Sequence, residues 1–166
     1  HLNENLVAAY AGRVREAFAR VPAGLRGRTE LLMTAHSLPR RILAAGDPYP
    51  GQLQETSAAV AKAGGFEAFR FAYQSRGAAA GPWLGPDAGD ALRDLATAGA
   101  KAVVLCPVGF VSDHMETLYD DDVLYKGQAE AAGLRFERAG ALNDHPLFAE
   151  ALADVVQAAL AAAGAT

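Results

Sequence analysis

The chain has 166 residues, 51% of them hydrophobic, and a formal net charge of −4. That length suffices for one domain burying roughly 70% of its unfolded surface, and the negative balance argues against a nucleic-acid partner held by counterion release. No apolar run approaches the ~20 residues of a membrane span, and the one cysteine, Cys106, allows neither an internal disulfide nor an iron–sulfur cluster ligated by four cysteines of this chain. A lone thiol fits a reducing, cytoplasmic setting. The first residue is His1 and no signal peptide is visible, so the expectation is a trimmed start or a piece of something longer.

Leu2 to Arg20 reads as an amphipathic helix with Leu6, Tyr10, Val14 and Phe18 along one stripe, stopped by Pro22 and Gly24. Leu31 to Ala35 is a short apolar strand, left through His36-Ser37-Leu38-Pro39, because the residue before a proline resists helix. Gly46 to Pro50 is loop by composition. A helix follows from Gly51 to Lys62, stopped by Gly64-Gly65. Phe69 to Tyr73 alternates as a strand and leads into Gln74-Ser75. Arg76 to Pro86 is a Gly- and Pro-rich loop holding the only tryptophan, Trp83. Asp87 to Ala98 is helical and ends at Gly99; Ala102 to Cys106 is the third strand.

Pro107 to Asp122 reads PVGFVSDHMETLYDDD. It bends at Gly109-Phe110 and opens a helix from Asp113 to Ala132, weakened at Gly127. Asp113, Glu116 and Asp120 recur at three- and four-residue spacing, as on one helix face. Leu134 to Arg138 is the fourth strand. Asp144 reads as the N-cap ahead of Pro146, and the last helix carries an apolar line on Phe148, Leu152, Val155, Val156 and Leu160. Strands alternating with helices predict a single α/β domain over residues 1–166. Its expected form is a doubly wound four-stranded parallel sheet with right-handed crossovers and helices on both faces. His36, Ser75 and Glu116 all follow strands, which gathers them at the carboxyl edge, where open α/β sheets bind ligands.

Each polar residue has two readings. His36 suits a proton acceptor or a metal ligand, since imidazole titrates near neutrality; its plain reading is a loop histidine bonded to a backbone carbonyl. Glu116 suits a second base or an oxygen ligand; its plain reading is the N3 member of a capping box begun by Asp113. One imidazole and one carboxylate make a sparse ligand set, suited to transient handling of a divalent ion such as Fe²⁺. His114 points away from Glu116 at helical spacing and reads as structural. Asp120 to Asp122 reads as a solvated charge run, against an outer cation site. His145 belongs to a helix entry, and Trp83 stacks on a flat ligand or plugs its loop. No G-x-S-x-G elbow, G-x-G-x-x-G or Walker motif is present, and Cys106 reads as buried filler.

The words TAHSLP (Thr34 to Pro39), GDPYPGQ (Gly46 to Gln52), YQSRG (Tyr73 to Gly77), PWLGPD (Pro82 to Asp87) and PVGFVSDHMETLYDDD together resemble the ferrochelatases, specifically their C-terminal half. The resemblance implies a chelatase-like fold and insertion of Fe²⁺ into a porphyrin in haem biosynthesis, with coproporphyrin III the favoured macrocycle. It assigns the catalytic and metal-handling roles to His36 and Glu116, and brings Ser75 and Trp83 near the porphyrin. It implies no permanent cofactor and a cluster-free form, with ferrous iron as substrate. Leu124 stands where some relatives carry an acid after the aspartate run, which departs from an outer metal site. Ferrochelatases are about twice this size. The resemblance therefore implies that a missing N-terminal domain, or a second chain, completes the cleft. Two other readings stand beside it: a homodimeric single-domain cobalt or iron chelatase, with His114 or His145 turned inward as a second histidine, and a non-catalytic metal- or tetrapyrrole-binding module.

Overall fold

The computed structural model describes residues 1–78 and 80–164. Ala79, within the predicted loop, and positions 165 and 166, at the end of the predicted domain, lie outside the described residues. Helix α1 (Glu4–Arg20) starts where the Asn3 side chain accepts the Leu6 N–H. A 3₁₀ turn (Ala23–Arg28) follows and feeds β1 (Thr29–His36). After a short α2 (Arg41–Ala44) comes α3 (Tyr49–Gly64). It begins two residues before the predicted Gly51, because Pro50 is accepted in a first turn. Gly65, at φ 87°, closes it in the left-handed conformation. Then come β2 (Arg70–Gln74), α4 (Ala88–Thr97) capped by Asp87, and β3 (Ala102–Cys106).

The predicted long helix from Asp113 is instead three pieces. These are α5 (Met115–Tyr119), one wide π turn (Asp120–Tyr125) and α6 (Lys126–Ala131). The irregularity falls ahead of Gly127, not at it. Strand β4 (Arg135–Arg138) and helix α7 (Pro146–Ala162) complete the chain. The α7 N-cap is His145, whose Nδ1 accepts the Leu147 N–H at 3.2 Å, and not Asp144.

The sheet is all-parallel in the order β2-β1-β3-β4. Alternate residues of one strand therefore serve two cores. Leu31 and Met33 of β1 meet Tyr10 and Val14 of α1 and Val60 of α3. Leu32, between them, meets Leu92 of α4, Tyr125 of the π turn and Ala129 of α6. The strand order reverses between β1 and β3, which opens a crevice at their carboxyl ends.

Helix α7 departs from expectation. It docks through Leu147, Phe148 and Ala151, while Leu152, Val155, Val156 and Leu160 stand 50–61% exposed. The helix is apolar nearly all round, so its pattern could not say which face the domain covers. No described helix is long and apolar enough to cross a membrane.

Candidate active site

His36 is the last residue of β1, where sheet pairing gives way to Leu38-Pro39. Its backbone is pinned from both sides. The Tyr49 hydroxyl donates to the His36 carbonyl at 3.0 Å, and the following N–H, of Ser37, donates to the Gln74 carbonyl at 2.8 Å. Burial pushes the Tyr49 phenol up to about 12, so it stays a proton donor at neutral pH. The imidazole is left half-exposed at the crevice.

Glu116 arrives from β3. Past the buried Cys106 and Pro107, the chain turns at Gly109 directly against β1. The Gly109 N–H donates to the Thr34 carbonyl at 3.1 Å, and a Cβ there would lie 2.5 Å from the Ala35 Cβ. Only glycine permits that approach. The Tyr10 hydroxyl fixes the next carbonyl, that of Phe110, at 3.1 Å. The Phe110 ring meets His36 edge-on, centroids 6.3 Å apart, and tilts against His114 at 5.4 Å. Helix α5 then starts on His114, which forms a reciprocal capping box with Thr117. The Asp113–Glu116 box expected from sequence is therefore not formed. Asp113 lies outside the helix and faces Asn143 and Arg138. Burial works against its charge, but the Asn143 hydrogen bond and the Arg138 guanidinium outweigh that and hold its carboxyl below the usual carboxylate range.

Released from capping, Glu116 faces the strand end. Its Oε1 lies 4.0 Å from His36 Nδ1, although 80 residues separate the two in sequence (116 minus 36). That gap is too wide for a hydrogen bond. It is about twice the ~2.0–2.2 Å bond of a nitrogen or oxygen ligand to a first-row cation, so both atoms can touch one ion between them. Among the described residues, no group of three or more His, Cys, Asp or Glu side chains gathers as a metal site.

The aspartate run is solvated only in part: Asp122 is exposed, Asp120 half-buried and Asp121 buried. Asp122 pairs with Arg138 at 2.8 Å, Asp120 accepts the Ser75 hydroxyl at 2.5 Å, and Asp121 is wholly buried. Burial, with Asp122 and Asp120 nearby, pushes the Asp121 carboxyl up to about 7 against the opposing pull of Gln74 and Arg138. Ser75 thus lies at the edge of the site, bonded to Asp120 and held at φ 57°. Trp83 is half-buried on the loop, bridged to Pro39 and packed against Gly77. His145, like His114, caps its own helix through Nδ1. Cys106 is wholly buried, and burial pushes its thiol up to about 12, which fits the filler reading. The burial of Gln74 and Asp121 against each other is not read from the sequence. The available signal was a glutamine closing an otherwise apolar strand.

A hollow of about 500 Å³ lies at the other end of the sheet, between Phe18, Phe66, Arg15 and Arg26. The His36–Glu116 pair instead stands on an open face. Its flank carries exposed Val111, Leu118 and Tyr119, and Met115 at 86% exposure.

A family model described as ferrochelatase matches residues 1–160. A ferrochelatase of Herpetosiphon aurantiacus is 47% identical over 146 residues, 88% of this chain and 48% of that protein. A coproporphyrin III ferrochelatase of Anoxybacillus flavithermus is 45% identical over 89% of this chain and 47% of its own length. One of the same description from Bacillus subtilis is 42% identical over 90% of this chain and 49% of its own. The chain spans about half the length of the curated relatives it matches.

Proposed function

The chain belongs to the ferrochelatase family, and on that footing we propose that it supplies the metal-handling side of a site inserting Fe²⁺ into a porphyrin. The observation that carries the reading is the 4.0 Å approach of His36 Nδ1 and Glu116 Oε1 at the switch point of the sheet. Insertion exchanges one divalent cation for two pyrrole protons. A neutral imidazole can accept one of those protons or hold the entering cation. The carboxylate offsets the charge that then develops on the ring and passes protons to solvent. A wall that bends the macrocycle would aim its nitrogen lone pairs at the cation. Ser75 and Trp83, near the two ends of the β2–α4 loop, are the residues we propose to touch the macrocycle edge. No resident cofactor enters this scheme, and iron is a substrate.

The open face around the pair supports a second wall. Met115, Leu118 and Tyr119 are apolar and exposed beside Glu116, as a flank does when another surface covers it. We assign this chain to the C-terminal half of the family's fold and the second wall to an N-terminal domain or a second chain. Coproporphyrin III is the proposed macrocycle because two of the relatives above carry it in their names. Ferrous iron and a free thiol together suit a cytoplasmic setting. The homodimeric alternative needs a second inward histidine, and both candidates are engaged as helix caps.

Anaerobic titration with Co²⁺, followed by its visible bands, tests the pair. His36→Ala and Glu116→Gln should each weaken binding at least tenfold while unfolding midpoints stay unchanged. Equal affinity in all three proteins would remove the pair from metal handling. Adding coproporphyrin III and Zn²⁺ then asks whether this chain alone completes insertion or requires the second wall.

A further inference from the structure

Gln74 joins the two halves of the candidate pair. It lies opposite His36 in the β1–β2 register, and its carbonyl accepts the N–H that follows His36. Its side chain is wholly buried and faces the π turn that follows the helix bearing Glu116. There it meets Asp121, also wholly buried, in the π turn five residues beyond Glu116. Strand parity puts Gln74 on the same sheet face as Thr34, the face that packs Tyr125 and Ala129. Ser75 then turns into the left-handed region and fastens its hydroxyl to Asp120 at 2.5 Å. The end of β2 thus grips two consecutive residues of the π turn.

This grip is polar where an apolar one would be more stable. The Gln74 amide and the Asp121 carboxyl face each other without closing a well-shaped hydrogen bond, and Thr34 Oγ1, on the same sheet face, also has no hydrogen-bond partner. Buried groups in that state cost stability, and well-packed hydrocarbon of similar volume usually does better. Stability therefore does not account for them. Geometry does: α5 has five residues, Glu116 is half-exposed, and the run needs a directional contact to fix its height above β1.

We propose that Gln74 and Asp121 are positioning residues that hold the α5–π segment over the end of β1, so that His36 and Glu116 stay at the spacing of two ligands on one cation. The proposal deepens the metal-site reading and rests on it. Burial pushes the Asp121 carboxyl up to about 7, and its protonated form can donate to the Gln74 oxygen.

The test is the double variant Gln74→Met/Asp121→Leu in the 166-residue chain. Removing both polar groups should leave it at least as resistant to urea as the parent. It should nevertheless bind Co²⁺ at least tenfold more weakly and lose the NMR cross-relaxation between the His36 ring and the Glu116 methylenes. Asp121→Asn, which keeps a polar contact to Gln74, should restore both. A folded double variant with parental affinity and intact cross-relaxation would overturn the proposal. If the double variant fails to fold, Gln74→Met alone is read the same way. If His36→Ala leaves Co²⁺ affinity unchanged, the metal-site reading fails instead, and the cross-relaxation still decides whether Gln74 and Asp121 set the spacing.

Discussion

Replacing Asp121 with asparagine exchanges a titrating acid for a neutral amide of nearly the same shape, deep under the site. The carboxyl is wholly buried. Burial raises it from 3.8 to about 7, with Asp120 and Asp122 adding to the rise and Gln74 and Arg138 opposing it. Cys106 and Tyr125 also face it, but burial pushes both toward their neutral forms at physiological pH. A carboxyl whose folded value lies above its unfolded one binds more protons folded than unfolded. Its contribution is therefore fully present below the unfolded value and is lost as pH rises toward the folded one. The shift corresponds to about 4 kcal/mol in all, of which about 2.5 kcal/mol falls between pH 5 and pH 8. Asparagine has no such loss. Urea unfolding of both proteins at half-unit steps from pH 5 to pH 8 should show the variant gaining on the parent by about 2.5 kcal/mol, levelling above pH 7. A flat difference, or one that shrinks as pH rises, would show that Asp121 is ionised in the fold and would refute the burial argument.

Gly109→Ala drives a Cβ into Ala35 at 2.5 Å and should cost about 1–3 kcal/mol while weakening Co²⁺ binding; Ala35→Gly in the same chain should return part of both. Arg138→Met removes ion pairs to Asp113 at 3.0 Å and Asp122 at 2.8 Å. It should cost about 1–2 kcal/mol at pH 7. Because Asp113 is held below its usual 3.8, that cost should hold from pH 7 down to that value and shrink as pH falls below it, read by unfolding at each pH. Leu152→Glu, at a side chain 52% exposed, should change stability by less than about 0.5 kcal/mol, checked by thermal melting.

The parts of the fold legible in the sequence are those governed by local patterning. Ala102–Cys106 is an unbroken apolar run and is strand β3 at the predicted bounds. Thr29–His36 extends the predicted strand at both ends, because sheet pairing with β2 and β3 recruits flanking residues that have no strand pattern of their own. The caps at Asp113 and Asp144 were misplaced by one residue each. Histidine Nδ1 accepts a backbone N–H as a carboxylate does, and ordinary cap preferences do not favour it. The π turn was invisible, since Asp120 to Asp122 reads as solvated charge unless one knows that β2 ends in a buried glutamine facing it.

The candidate site shows the same division. His36 and Glu116 carry plain readings, and the words around them, not their spacing, singled them out. What joins them is the sheet order: β3 lies beside β1, and Gly109 lets the chain after β3 touch the end of β1 without a side chain between. The separation of imidazole and carboxylate is therefore a property of backbone packing at the switch point, and the proposed tuning comes from contacts of β2. Residues that set such a distance need no chemistry of their own and leave no motif. That is the sense in which Gln74, an uncharged amide in the core, is proposed to bear on a cation that it does not touch.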